Sequence, residues 1–307
     1  MTTLRSLTVP IGELSATIGL LEYLVLNDQL AWIRSGEGLV GFGETARFTA
    51  SGPERFADAQ QWWLKLADDA EIENPLSVPG SGLAAFGSFG FSKRSPFESR
   101  LIVPEIVVGS RDGVTWITQT TADPDAELSL ASAQAALAVY LDEVPVAREP
   151  DPEDRILPGV LSEAEWKNAV TRSVAHINAG DLSKIVLARD IVASLGSPVS
   201  AAQVLRELAL RYRSCWTYSV DGLIGSTPEM LIKVENGVAR AFATTSSFRM
   251  SQISFPMAPL APQTIALTSA PPACASRAAA SAHSGAPSGS GAGAGGSRSS
   301  PWRPWRP

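Results

Sequence analysis

A lysine in the second half of the chain has surroundings that could support base catalysis. Lys184 begins the run Lys-Ile-Val-Leu-Ala-Arg (residues 184–189), which predicts a strand over residues 184–192. Alternation along such a strand puts Lys184, Val186 and Ala188 on one face, directed toward a covered space or a cavity. Burial would favour the neutral amine, which can act as a general base. The alternative is a lysine at a strand end whose ammonium group reaches solvent.

A glutamate after a turn of small residues could supply the matching acid. Glu229 follows Gly-Ser-Thr-Pro (residues 225–228) and the strand that ends at Ile224. Gly225 allows the backbone to approach a ligand closely, and the amides of such a turn suit a carboxylate. A glutamate held there in its acid form could act as a general acid. The alternative is a turn glutamate that the backbone dipoles stabilise.

The elements around these two residues are predicted by capping and turn signals. Ser162 and Glu165 form a capping box that begins a helix, and a second capping pattern spans Ser200 to Gln203. Hairpins are predicted around the Asp-Gly of residues 221–222 and the Glu-Asn-Gly of residues 235–237.

Periodicity in the first half predicts strands and two helices. The predicted strands and hairpins cover residues 31–44, 101–108 and 114–118, and the predicted helices cover a segment opened by Pro53 in its first turn and residues 128–141. In the first helix, Trp63 is expected in the core and Trp62 on its flank. The glycines of residues 80–90 favour a strand with bends over a phosphate loop, because no Gly-Lys-Ser/Thr segment follows.

Composition and charge limit the classes of function. The 307 residues are 45% hydrophobic and 18% charged, which is typical of a soluble globular protein with a sizeable core. The net charge of -6 argues against a nucleic-acid or anionic-membrane partner. Cys215 and Cys274 lack metal-site spacing, so we expect no disulfide framework and a cytoplasmic location. Glu13 and Glu22 interrupt the first apolar stretch, which argues against a signal peptide or membrane span.

Together, the two motifs resemble those of the chorismate-utilising enzymes, and most closely the isochorismate synthases of menaquinone and siderophore pathways. The motifs are residues 184–189 and Gly-Ser-Thr-Pro-Glu-Met-Leu (residues 225–231). The resemblance also takes in residues 166–177 and, more loosely, residues 39–44 and 103–105. It implies an α/β fold like that of anthranilate synthase component I. That fold has two stacked, mainly antiparallel sheets flanked by helices, and its C-terminal part would be missing here.

The resemblance also implies residue roles. Amine-adding members usually have glutamine where Lys184 stands, whereas water-adding members have lysine, so isochorismate formation without a glutaminase subunit is implied. By analogy, Lys184 activates water for attack at C2 of chorismate and Glu229 protonates the departing C4 hydroxyl. Gly225, Ser226 and Thr227 would line the substrate pocket, and Mg²⁺ would hold the substrate carboxylate.

The last part of the chain departs from this pattern. After Glu235 there is no Asp or Glu, and Ser, Ala, Pro and Gly dominate from Ser246 onward. We therefore expect a partial chorismate-binding domain over residues 1–245 and a low-complexity tail, disordered or out of frame, over residues 246–307. The family's Ala-Gly-Thr-x-x-Arg-Gly segment does not follow Phe242, and its magnesium-binding glutamates would lie beyond that point. Magnesium prefers carboxylate ligands, so we expect an isochorismate synthase by lineage with little or no activity.

Two alternatives stand beside this prediction. A salicylate synthase of the same family would add a lyase step that the retained sequence does not separate from isochorismate formation. A non-catalytic protein would keep either a chorismate-like pocket or only the scaffold. His176 is expected on a helix surface and not at a metal.

Overall fold

The computed structural model describes residues 3–12, 19–76, 78–142, 148–149, 151–235, 238–241, 253–256 and 264–269. The strands in these ranges are β1 (Arg5–Ile11), β2 (Leu30–Arg34), β3 (Glu37–Phe42), β4 (Ala46–Ala50), β5 (Glu71–Glu73), β6 (Ala85–Gly90), β7 (Ser99–Val103), β8 (Ile106–Arg111), β9 (Val114–Thr121), β10 (Arg155–Pro158), β11 (Ile191–Ser194), β12 (Trp216–Val220), β13 (Leu223–Thr227), β14 (Ile232–Glu235), β15 (Val238–Ala241), β16 (Ile253–Pro256) and β17 (Thr264–Ser269). The helices are α1 (Arg55–Asp68), α2 (Leu130–Leu141), α3 (Glu163–Asn178), α4 (Ala201–Arg211) and a 3₁₀ helix (Gly19–Tyr23).

Two large sheets form the main body. The first has the order β13-β12-β2-β3-β8-β9-β1-β5 and is antiparallel except between β1 and β5. The second has the order β17-β6-β7-β4, with β17 parallel to β6 and the other pairs antiparallel. Smaller sheets join β10 to β11 and β14 through β15 to β16. The expected α/β architecture with mainly antiparallel sheets is confirmed.

The two large sheets stack through a shared apolar layer. Trp116 of β9 and Phe86 of β6 are both 0% exposed and belong to one buried cluster, which also contains Ile102 and Val107. Gly109 pairs with Trp116 across the β8–β9 ladder, and a Cβ at Gly109 would overlap the indole ring. Each large apolar side chain buried in this way contributes roughly 1.5–3 kcal/mol.

Helices cover the outer faces of both sheets. Leu137 of α2 and Leu205 of α4 pack into a cluster with Ile33 and Phe42 of the larger sheet. On the smaller sheet, Trp63 of α1 is buried, as expected.

Two local predictions in the first half are corrected. The segment 101–108 was expected as one strand, but it divides at Pro104 into β7 and β8, which belong to different sheets. Proline has no N–H to continue a ladder, so the chain can change sheet there. Helix α1 begins at Arg55, so Pro53 precedes the helix instead of lying in its first turn.

The elements α3, β10 and β11 in the second half of the chain are less buried than the two large sheets. The capping box of Ser162 and Glu165 is present, and Gly180 follows α3 with a φ of +83°. No residue of α3 is buried, and β10 and β11 are exposed at every position. The structure also describes two short strands, β16 and β17, within residues 246–307. Among the described residues, no helix is long and apolar enough to cross a lipid bilayer.

Gln203, which was predicted to take part in a second capping pattern, instead belongs to a cluster of polar contacts around Arg148. Ser200 caps α4 without a side-chain hydrogen bond, which corrects the prediction for Ser200 to Gln203. The Gln203 side chain instead accepts a hydrogen bond from the Arg148 amide at 3.0 Å. The Arg148 guanidinium donates to Ser197 at 2.8 Å and forms an ion pair with Asp154. This hydrogen bond holds the pKa of Asp154 well below its usual range.

We expect Asp154→Asn to loosen this cluster in a pH-dependent way. A lowered folded-state pKa means that the carboxylate stabilises the fold above the unfolded pKa of about 3.9, and that this effect is lost as pH falls further. Chemical denaturation should therefore show the wild type more stable than the variant at pH 7, with the difference shrinking below about pH 4. A difference that grows as pH falls would contradict this sign.

We expect Gly43→Ala to destabilise the fold more than a matched glycine substitution. Gly43 has a φ of +63°, and a Cβ there would overlap the Tyr140 hydroxyl, which donates to Glu105 at 2.8 Å. Burial and this hydrogen bond raise the pKa of Tyr140 to about 12. Gly113 has a similar φ of +77° but open space around it, so Gly113→Ala reports backbone strain alone. Equilibrium unfolding should show that Gly43→Ala lowers the free energy of unfolding by about 1–3 kcal/mol more than Gly113→Ala does. Equal losses in the two variants would contradict the proposed overlap.

Candidate active site

A hairpin at the end of the larger sheet carries the predicted substrate-binding residues. Strands β12 and β13 are joined by Asp221 and Gly222, with φ values of +50° and +82°, as an Asp-Gly turn requires. Gly225, Ser226 and Thr227 lie on β13. This strand is the last in its sheet, so in the described part of the chain it pairs on one side only.

Ser226 faces helix α4. It pairs with Thr217 across the hairpin, and Ile224 on the same face packs with the Leu205 cluster. The hydroxyl oxygens of Ser226 and Thr217 are buried, and neither has a hydrogen-bond partner in the described part. The Ser226 side chain therefore lies in the helix–sheet contact.

Gly225 faces the opposite way, toward the layer between the sheets. It pairs with Tyr218, and a Cβ at this position would overlap the Tyr218 phenol. Burial raises the pKa of Tyr218. The absence of a side chain at Gly225 thus makes room for a tyrosine of the same hairpin, whereas we expected that room to admit a ligand.

Glu229 lies just beyond the hairpin and is exposed. Its amide donates to the Thr227 side-chain oxygen at 3.1 Å, which fixes the turn through Pro228. Its carboxylate has no hydrogen bond or ion pair with the residues that the structure describes.

Lys184 is not on a strand, which corrects the prediction for residues 184–192. Residues 184–190 have no regular secondary structure, and β11 begins only at Ile191. The physical reason is the short partner: the β10–β11 ladder ends where Pro158 pairs with Ile191, and proline cannot donate to extend it. Lys184 is exposed, and Val186 on its predicted face is 71% exposed. The role of Lys184 as a base depends on burial, and the described residues do not bury it.

The structure therefore brings the three β13 residues together with Glu229 but does not join Lys184 to them. Lys184 precedes β11, a strand of the small two-stranded sheet, and Glu229 follows the edge strand of the large sheet. Within the described ranges, no hydrogen bond or ion pair connects the two side chains.

The described residues do not fit a magnesium site. They include no group of three or more His, Cys, Asp or Glu side chains placed to hold a metal ion. His176 is exposed, as expected, and pairs with Asp181 at 2.9 Å near the end of α3. One such pair lacks the several oxygen ligands that Mg²⁺ takes.

Sequence reasoning missed an ionic cluster at the tip of the hairpin. Asp221 forms ion pairs with Arg100 of β7 and, at 3.3 Å, with Arg47 of β4, while Glu44 holds Arg47 at 2.6 Å. The Asp-Gly turn was evident from the sequence, but pairs separated by more than a hundred residues leave no local signal. Tyr218 could have been found, because counting outward from a two-residue turn pairs it with Gly225.

We expect Gly225→Ala to disturb the aromatic packing of the hairpin. The new methyl group would displace the Tyr218 ring, whose centroid lies 6.2 Å from that of Trp32. Overpacking of this kind costs about 1–3 kcal/mol. Near-ultraviolet circular dichroism and equilibrium unfolding should both change. Combining it with Tyr218→Ala should cost less than the sum of the two single changes, and strict additivity would contradict the proposed overlap.

Comparisons with known proteins identify a family and several relatives of this chain. The model of a family described as chorismate binding enzyme matches residues 20–252. A salicylate biosynthesis isochorismate synthase of Pseudomonas aeruginosa is 25% identical over 231 residues, which are 70% of this chain and 47% of that protein. The isochorismate synthase MenF of Bacillus subtilis is 23% identical over 234 residues, 69% of this chain and 49% of that protein.

A solved structure gives similar coverage. The menaquinone-specific isochorismate synthase MenF of Escherichia coli has a TM-score of 0.47 and 21% identity, over 78% of this chain and 54% of that one. The chain thus spans about half the length of the relatives that it matches. Because the family match extends over well more than half of the 307 residues, the chain belongs to the chorismate binding enzymes.

Proposed function

We propose that the reaction of this chain's lineage is the conversion of chorismate to isochorismate, and that the 307-residue chain turns over little or no chorismate. Support for the reaction comes from the similarity to isochorismate synthases and from the lysine at position 184. Lysine is expected where water is the nucleophile, so the proposal includes no glutaminase partner.

The proposed chemistry needs one base and one acid. The base removes a proton from water as its oxygen bonds to C2 of chorismate. Both ring double bonds shift, the C4–O bond breaks, and the acid protonates the departing hydroxide. One water enters and one leaves, so the reaction is an isomerisation. Lys184 is the proposed base and Glu229 the proposed acid.

The proposal of low turnover rests on the positions of Lys184 and Glu229. An acid and a base must each lie within about 2.6–3.2 Å of the atom with which they exchange a proton, or be bridged to it by one water. Lys184 and Glu229 are both exposed, and they flank different sheets of the described structure. A pair that faces solvent also lacks the exclusion of water that strengthens charge interactions in an active site.

A second consideration supports the same conclusion. The lineage's reaction is proposed to depend on magnesium, yet the chain has no carboxylate after Glu235. The described carboxylates form no cluster that fits the ion. No step is therefore assigned to a metal in this chain.

A non-catalytic chorismate-binding protein is the second candidate, and the exposure of Lys184 and Glu229 favours it. A protein of this kind would keep the hairpin of β12 and β13 and its small residues but not the assembled acid–base pair. Binding and turnover must therefore be measured separately.

For turnover, we expect no product above the protein-free control when the purified chain is incubated with chorismate and magnesium. Chromatography of the products, with a full-length relative as the positive control, also separates isochorismate from salicylate. Magnesium-dependent conversion that disappears in Lys184→Ala and Glu229→Gln would contradict the proposed inactivity.

Equilibrium binding of chorismate separates a retained pocket from a bare scaffold. Lys93, exposed in the β6–β7 loop, provides a matched control. Weaker binding in Lys184→Ala but not in Lys93→Ala would support a pocket that includes Lys184. Equal binding in both variants would exclude Lys184 from the pocket.

A further inference from the structure

We propose that Asp221 is a positioning residue that holds the β12–β13 hairpin, and with it Gly225–Thr227, against the smaller sheet. This inference rests on the proposed function, because it assigns a purpose to the strand that would contact chorismate. It concerns a residue that touches neither the substrate nor a reacting atom.

The contacts of Asp221 cross from one sheet to the other. Asp221 lies at the tip of a hairpin of the larger sheet, whereas Arg47 and Arg100 lie on β4 and β7, neighbouring strands of the smaller sheet. Each carboxylate oxygen faces a different arginine, since Oδ1 pairs with Arg47 and Oδ2 with Arg100. The hairpin tip is therefore tied at two points to a sheet to which it has no ladder connection.

Glu44 fixes the orientation of one of these arginines. Its Oε1 accepts from Nε of Arg47 at 3.0 Å and its Oε2 accepts from the terminal nitrogen at 2.6 Å, which leaves that nitrogen within reach of Asp221. Acidic and basic groups thus alternate through Glu44, Arg47, Asp221 and Arg100. A bidentate carboxylate–guanidinium pair gives directional specificity that a single contact lacks.

The hairpin has particular need of such an anchor. In the described ranges, β13 has a ladder partner only in β12, and an edge strand opens more readily than a central one. Gly225 lies four residues beyond Asp221, or roughly 13 Å along an extended strand. A pivot of the tip would therefore move the strand that carries Gly225, Ser226 and Thr227.

Partial exposure makes this anchor sensitive to salt. The four side chains are between 25% and 39% exposed, so dissolved ions can screen their attraction. Single exposed ion pairs contribute little, but a network with a bidentate pair can contribute measurably. Salt should thus loosen the hairpin in the wild type and have less effect once the charge of Asp221 is gone.

The chain offers a closely matched control for the loss of this charge. Asp112 precedes Gly113 in the β8–β9 turn and has a φ of +51°, almost the value of Asp221. In the described ranges its side chain pairs with the adjacent Arg111 and with no residue of another sheet. Asparagine tolerates left-handed backbone and suits both turns, so Asp221→Asn and Asp112→Asn change charge while keeping turn geometry.

The test compares hydrogen exchange at the amides of residues 223–227 and chorismate affinity in the two variants. We expect Asp221→Asn to speed this exchange roughly two- to fivefold at low salt and to weaken chorismate binding, while Asp112→Asn changes neither. Asp221→Glu should restore part of the protection. At about 1 M salt the Debye length is about 3 Å. The exchange rate of the wild type should then approach that of Asp221→Asn.

Unchanged exchange in Asp221→Asn, or equal acceleration in Asp112→Asn, would overturn the proposal. If Asp221→Asn does not fold, Arg100→Gln removes one of the two ties, and the same exchange comparison decides. If the wild type binds no chorismate, the chain keeps only the scaffold and the candidate function of chorismate binding fails, while the exchange result still decides whether Asp221 holds the hairpin.

Discussion

The stacking of the two large sheets depends on one shared apolar layer, centred on Trp116. This indole is fully buried against Gly109 on the neighbouring strand and belongs to the same buried cluster as Phe86 of the opposing sheet. A side chain at Gly109 would push the ring out of that layer, so the glycine and the tryptophan form one packing unit. The helices and the β12–β13 hairpin take their positions from the sheets that this layer joins.

In that arrangement the residues with proposed functional roles lie at the edge of the two packed sheets or outside them. The small-residue strand sits at the sheet edge, with Tyr218 filling the space above Gly225 and Ser226 directed at α4. Lys184 and Glu229 lie on exposed segments outside the large sheets. Membership of the chorismate binding enzymes and low proposed turnover are therefore compatible, because the family's fold can be present without the convergence of its acid and base.

The sequence predicted elements whose signals are local. The Asp-Gly turn at residues 221–222 fixed a hairpin, and the capping box at Ser162 fixed the start of a helix. Predictions failed where the outcome depends on a distant partner. Residues 184–190 have a strand-like sequence but pair with no strand in the part of the chain that the structure describes. The ionic cluster of Asp221 joins groups that only the stacking of the sheets brings together. Periodicity reports which face is apolar but does not report what covers it.

In the structure Lys184 faces solvent, and the proposed low turnover depends on this exposure. Competitive labelling of lysine amines at limiting reagent, read by mass spectrometry, tests this most directly. Lys93 and Lys65, both exposed, provide internal references. We expect Lys184 to be modified at a rate similar to theirs, with or without added magnesium. Strong protection of Lys184, or a rate far above that of the reference lysines, would contradict it.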